Sequence, residues 1–243
     1  MPIKLMRLPI SIIIPTFNEE QYLPKLLKSI QRQTVSPYEI IVADNNSIDQ
    51  TRQIARQFGC KVIDGGLPPP ARNNGAKIAT QPILLFLDAD IILSTNDFLE
   101  KTIQEMTDKK LSITSCFMIP LSKSGIDKFI FMFINFFYNL TKRFFPKING
   151  FCIFVRKEIH QKINGFDESL LLGEDYDYVK RAVKVGRFDY LRCCKIAVSI
   201  RRLSEEGRIK MALKYTAIVL YIFIFGKIKK NFFNYKFGGH YNK

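Results

Sequence analysis

The chain has 243 residues, 37 of them Lys or Arg and 22 Asp or Glu, giving a formal net charge of +15. With 47% apolar and 13% aromatic residues it is not intrinsically disordered, because low hydrophobicity is what keeps such chains unfolded. The charge is uneven, 13 basic against 12 acidic side chains over residues 1–120 and 24 against 10 over residues 121–243, so the second half invites an anionic partner, membrane headgroups or nucleic acid. Cys60, Cys116, Cys152, Cys193 and Cys194 form no CxxC and are odd in number, which argues against a disulfide framework or zinc ribbon. The pattern fits buried thiols in a reducing compartment.

Residues 1–14 carry Lys4 and Arg7 but no small-residue cleavage site, and predict a first core strand instead of a signal peptide. Ile10–Ile14, Tyr38–Ala43, Lys61–Asp64 and Pro82–Leu87 have the short apolar character of strands covered on both faces. Between them, Glu19–Ile30 sets Leu23, Leu26, Leu27 and Ile30 at helical spacing. Ser47 with Gln50 predicts a capping box for a helix through about Gln57. Gly65–Pro70 predicts a loop and Ala71–Thr80 a helix. Strand and helix alternate, which calls for an α/β fold, a three-layer α/β/α sandwich with a mostly parallel central sheet. Further on come a strand at Ser112–Ile119, an aromatic run at Lys128–Leu140, Asn149–Val155, and a helix at Gly173–Val185 opening on Glu174 and Asp175. The end, Arg201–Lys243, is basic and holds an apolar run from Tyr215 to Phe225.

Ligands of open parallel sheets bind at the carboxyl ends of the strands. Those ends present Pro15-Thr16-Phe17-Asn18-Glu19, then Asp44-Asn45-Asn46, then Asp88-Ala89-Asp90. Asp88 and Asp90, placed together, repel unless a cation neutralises the pair. Oxygen-only ligands select Mg²⁺ or Mn²⁺, whose shell is usually completed by substrate phosphates. An ordinary acidic turn is the alternative, and the two neighbouring acid-bearing turns favour the metal. Asp44 has the chemistry to accept hydrogen bonds from a nucleobase or a ribose hydroxyl. Arg72, at a helix start beside Asn73 and Gly75, can hold a phosphate bidentately, or be a solvated surface arginine.

The successive segments Ser11–Glu20, Ile41–Thr51, Ala71–Gly75 and Asp88-Ala89-Asp90, followed by Asn164-Gly165-Phe166-Asp167-Glu168 and Gly173-Glu174-Asp175-Tyr176-Asp177, resemble the ordered motifs of family 2 glycosyltransferases over roughly residues 9–205. The resemblance implies a GT-A fold, a nucleotide-diphospho-sugar donor and inverting transfer. It implies that Pro15, Thr16 and Glu19 line the nucleotide pocket, that Asp44 binds base or ribose, and that Arg72 and Asp88 contact the donor. Asp90, with Asp88, would ligate the metal, and Asp175 would be the general base, with Glu174 orienting base or acceptor. Arg201 and Arg202 stand where related enzymes often place a diphosphate contact. Asp175 at a helix start could also be a cap. Asn164 replaces the usual glycine, a mild change because Asn tolerates positive φ. No QxxRW motif follows, which favours single addition over polymerisation.

Residues 1–205 form the expected transferase domain, a nucleotide-sugar half (1–120) and an acceptor and base half (121–205), and residues 206–243 a basic, apolar membrane-interface helix and tail. Phe129–Leu140 is broken only by Asn135 and Asn139, which share a helical face. Neither this run nor Tyr215–Phe225 reaches the ~20 residues of a spanning helix; an apolar helix edged by cations suits a membrane interface, and a helix buried on the domain is the alternative. From Arg201 onward ten basic residues face two acidic ones. The expectation is a metal-dependent inverting transferase acting on a hydroxyl acceptor, lipid-linked or of a cell-envelope glycan, peripheral on an anionic cytoplasmic membrane face. The alternatives are transfer to polyprenyl phosphate, and a non-catalytic basic binding protein on the same fold. Nucleic acid is not an expected partner, since it leaves the converging acids unexplained.

Overall fold

The computed structural model describes residues 7–229, except the side chains of 219, 220 and 223–225. Lys4 and the expected tail from 230 onward lie outside the described residues. The first half alternates as expected: β1 (Arg7–Thr16), α1 (Leu23–Gln31), β2 (Ser36–Asp44), α2 (Thr51–Gln57), β3 (Lys61–Asp64), α3 (Pro68–Ile78) and β4 (Ile83–Leu87). The rest comprises β5 (Ile91–Leu93), α4 (Phe98–Asp108), β6 (Ile113–Pro120), α5 (Gly125–Thr141), β7 (Cys152–Arg156), α6 (Lys157–Lys162), α7 (Glu174–Ala182), β8 (Phe188–Val198), α8 (Arg201–Glu206) and α9 (Arg208–Phe225).

One eight-stranded sheet takes the order β3-β2-β1-β4-β7-β6-β8-β5. β3, β2, β1 and β4 run parallel, as do β6 and β8, whereas β7 is antiparallel to both β4 and β6, and β5 to β8. The sheet is therefore mixed where the second half of the chain enters it.

Strand β1 displays the two-residue period directly: Ile10, Ile12 and Ile14 pack in one core with Leu26, Phe98 and Phe154, and Ile13 packs in the other with Ala76, Phe86 and Tyr178. Two cores, one on each face, make the three layers. α3 lies close on β1 because Gly75 has no side chain; a Cβ there would stand 2.4 Å from Ile13 Cγ2. No disulfide forms: Cys60, Cys116, Cys152 and Cys194 are buried thiols and Cys193 is exposed.

Two expectations are corrected. Gly65–Pro70 is not all loop, because α3 starts at Pro68; prolines fit the first turn of a helix, where their missing N–H has no partner to lose. Ser47 does not cap α2, whose N-cap is Gln50 without a side-chain hydrogen bond. Its hydroxyl instead donates to Asp44 Oδ2 at 2.6 Å, a charge-assisted bond stronger than the cap it replaces.

Candidate active site

The parallel register sets Thr16 opposite Asp44, and Thr16 Oγ1 donates to Asp44 Oδ2 at 2.9 Å. Ser47 N–H adds a bond to Oδ1 at 3.0 Å. The Asp44 carboxylate is fully enclosed by these donors, with Arg52 Nη1 3.7 Å away. Asn18, at φ 53°, links the two turns: its N–H donates to Ser47 Oγ at 2.8 Å and its side-chain oxygen accepts from Ile48 N–H at 3.0 Å. Pro15, paired with Ala43 across the two strands, is half-buried just before Thr16.

Asp88 and Asp90 turn to different cations. β5 pairs with β8, and Ser199 N–H donates to Asp90 O at 3.2 Å. This brings Arg201, just beyond β8, beside Asp90, with Nε 3.1 Å from Oδ2. The same guanidinium donates through Nη1 and Nη2 to both oxygens of Glu19 at 2.9 and 2.8 Å. Burial pushes the carboxyls of Glu19 and Asp90 above their ordinary values; Arg201 opposes the shift and Asp88 adds to it. Tyr22, Lys25, Asp90, Arg201 and Ser204 line a cleft of about 500 Å³.

Arg72 is the second hub. It is only 2% exposed, so it is not a solvated surface residue. Nη1 donates to Glu174 Oε1 at 2.9 Å, and Nη2 to Asp88 Oδ1 at 3.0 Å and to Gly150 O at 3.1 Å. Asp88 and the helix start of α7 thus share one cation. Asp175 accepts from Gly150 N–H at 3.0 Å and from Tyr176 N–H at 2.8 Å. Gly173, two residues before it and at φ 75°, occupies the cap position, so Asp175 is not the helix cap. Burial first, then the charge of Glu174, raise the Asp175 carboxyl to about 7.

Sequence spacing gave no sign of two further supports. Asn73 accepts from Phe166 N–H at 2.8 Å and donates to Phe166 O at 2.9 Å and to Glu168 Oε1 at 2.8 Å, so the Asn164–Glu168 turn is clamped to α3. Phe166 then stacks on Tyr178 at 3.9 Å and lies under the Arg72 guanidinium. Asn164 has φ 57°, the conformation its substitution for glycine requires.

A divalent cation fits the acid pair in part. Among the described residues no three His, Cys, Asp or Glu side chains cluster to hold a metal. Asp88 is 39% exposed and gives only Oδ1 to Arg72. Two carboxylates with an open side match an ion that takes its remaining oxygens from phosphates and water.

Residues 11–163 match the family model described as glycosyl transferase family 2. The chain is 28% identical over 191 residues to the glycosyltransferase AglE of Haloferax volcanii, a match spanning 73% of this chain and 62% of AglE. Two solved structures share the fold. Residues 1–349 of TarS of Staphylococcus aureus in complex with UDP-GlcNAc give a TM-score of 0.64 at 21% identity, over 87% of this chain and 66% of that piece. The mannosyltransferase PcManGT of Pyrobaculum calidifontis with GDP-Man and Mn²⁺ has a TM-score of 0.65 at 19% identity, over 90% and 68%. With its sheet order, its paired acids and this match over most of its length, the chain belongs to glycosyl transferase family 2, on a GT-A fold.

Proposed function

We propose that this protein transfers a sugar, with inversion, from a nucleotide-diphosphate donor to a hydroxyl acceptor. The observation that carries the proposal is the Arg72 bridge: it holds Glu174 and Asp88 on one guanidinium, so the start of α7, where Asp175 follows Glu174, is tied to Asp88. A carboxyl raised to about 7 is a base matched to neutral pH. Asp175 takes the proton of the acceptor hydroxyl as its oxygen attacks the anomeric carbon from the face opposite the leaving diphosphate. Glu174 orients that base and keeps its proton affinity high.

Donor binding falls to Pro15, Thr16, Glu19, Asp44, Arg72 and Asp88. A ribose or base group reaches Asp44 by taking the place of the Ser47 hydroxyl. Asp88 and Asp90 would hold Mg²⁺ or Mn²⁺, which as a Lewis acid offsets the charge of the departing diphosphate. Two fold neighbours were solved with nucleotide sugars, which supports this class of donor. The acceptor proposed is a hydroxyl of a lipid-linked or cell-envelope glycan, at the inner face of a membrane.

A thermal-shift panel of UDP and GDP with and without Mn²⁺ tests the donor side, since a ligand that binds the folded chain raises the midpoint. A Mn²⁺-dependent shift lost in Asp90→Ala is expected; no shift with either nucleotide overturns the proposal. An acceptor already ionised, such as a polyprenyl phosphate, needs no base, so full transfer activity in Asp175→Asn overturns the hydroxyl assignment.

A further inference from the structure

We infer that the outer face of α5 docks on an anionic lipid bilayer and brings a lipid-borne acceptor to Asp175. The second clause rests on the proposed function; the first does not.

Helix α5 has its polarity reversed relative to an ordinary surface helix. Phe129, Met132, Phe133, Phe136, Phe137 and Leu140 recur at intervals of three and four, and each is 45–65% exposed. Asn135 and Asp127 point the other way. Asn135 accepts from Met118 N–H at 3.0 Å and donates to Met118 O at 2.8 Å, pinning the helix to β6. Asp127, the one acid of α5, is buried and accepts from Ser122 Oγ and from Arg208 Nε at 2.5 and 2.7 Å. The helix is therefore held by polar bonds on its inner side and shows its aromatics to the outside.

A half-exposed aromatic or long aliphatic side chain leaves about 100 Å² in the open, so six of them leave roughly 600 Å². That is at the upper end of the largest patch on a typical monomer. Lys123, Lys128 and Arg143 are exposed beside and at the ends of this stripe, and no carboxylate of α5 reaches it. Apolar side chains edged by cations match the acyl and headgroup levels of an anionic leaflet, to whose negative surface the cations are drawn. No helix among the described residues is long and apolar enough to cross a membrane, so α5 lies in the interface. An antiparallel pair of α5 helices from two copies would set Lys123 and Lys128 against Arg143, which disfavours self-association through this face.

The inner side of the same helix reaches the site. Tyr138 Oη donates to Asn149 Oδ1 at 3.2 Å, one residue from Gly150, whose N–H holds Asp175. At the other end Arg208, first residue of α9, is tied to Asp127 in the first turn of α5. The bilayer-facing helix and the general base are thus one short connection apart, the placement a headgroup hydroxyl requires.

The full-length chain is cosedimented with phosphatidylcholine vesicles with and without phosphatidylserine, beside Phe129→Ser/Phe133→Ser/Phe136→Ser and Lys123→Glu/Lys128→Glu/Arg143→Glu variants. The wild type is expected to bind the anionic vesicles about tenfold better than the neutral ones. Each triple variant is expected to lose about tenfold in that binding, with its thermal midpoint and its UDP and Mn²⁺ shift unchanged. Both sets of positions face outward, so the midpoint guards against misfolding. Equal binding of wild type and the phenylalanine variant overturns the docking, as does a wild type that ignores vesicles, whether sedimentation velocity shows a dimer split by that variant or a monomer throughout. Vesicle binding without any nucleotide shift leaves the docking in place and removes the acceptor clause with the proposed function; a nucleotide shift without vesicle binding does the reverse.

Discussion

Arg201 donates to both carboxylate oxygens of Glu19 across 182 residues of chain, while its Nε lies 3.1 Å from Asp90. All three side chains are at least four-fifths buried. Removing one partner of a buried ion pair costs about 3–5 kcal/mol, because the remaining charge is left uncompensated. Arg201→Ala is therefore expected to lose about that much at pH 7 in urea denaturation. Protonation neutralises the stranded acids, and their carboxyls already sit above the ordinary range, so the loss shrinks as the pH falls toward theirs. A loss independent of pH contradicts the electrostatic account.

Arg72 bridges Glu174, Asp88 and Gly150 O with a planar fork. A lysine keeps the charge but is a single point that cannot span all three. Arg72→Lys is expected to weaken donor binding and lower the midpoint, and Arg72→Ala to lose about 3–5 kcal/mol. Calorimetric titration with nucleotide checks the first; wild-type affinity in the lysine variant would show that the fork geometry is irrelevant.

Asp175, at about 7, predicts a transfer rate that rises with pH through neutrality, since only the ionised form is a base. Asp175→Asn is expected to lower kcat roughly a hundred- to ten-thousand-fold with donor affinity retained. Glu174→Gln removes a neighbouring negative charge and moves the rate profile to lower pH. Stability carries the opposite sign: between its ordinary 3.8 and about 7 the folded chain holds a proton that the unfolded chain releases. The contribution of Asp175 is therefore present in acid and lost as the pH rises through that window. Relative to wild type, Asp175→Asn gains stability between pH 4 and pH 8, readable from midpoints.

Gly75 lets α3 lie against β1. Gly75→Ala sets a Cβ 2.4 Å from Ile13 Cγ2 and is expected to cost about 1–3 kcal/mol by overpacking. Adding Ile13→Ala removes the clashing atoms, so the double variant should be less destabilised than the sum of the two singles. Strict additivity in denaturation experiments would place the strain elsewhere.

Much of this was legible in the sequence because local pattern and local chemistry coincide in the first ninety residues. β3 has its expected ends, and the acid-bearing turns follow β1, β2 and β4 as a parallel sheet demands. The direction of β7 was not legible: Cys152–Arg156 is an apolar run like the parallel strands of the first half, and a strand buried on both faces carries no mark of its orientation. Ser47 misled for a physical reason, since the capping spacing to Gln50 competes with an ionised Asp44 three residues upstream. The role of Arg201 as counter-charge to Glu19 depends on β5 pairing with β8, and a three-residue strand such as Ile91–Leu93 leaves almost no periodicity to detect.

The sheet order carries a last consequence, for synthesis. β4 is Ile-Leu-Leu-Phe-Leu, wholly buried, and its second neighbour β7 lies some sixty-five residues further along. The parallel block from β3 to β4 can assemble as the chain emerges from a ribosome, but until Cys152–Arg156 arrives its apolar edge has unpaired N–H and C=O groups facing outward. Such an edge is a template for strands of other molecules, and folding intermediates that expose one are prone to aggregate. Translation of the intervening α4, β6 and α5 sets how long that edge stays bare.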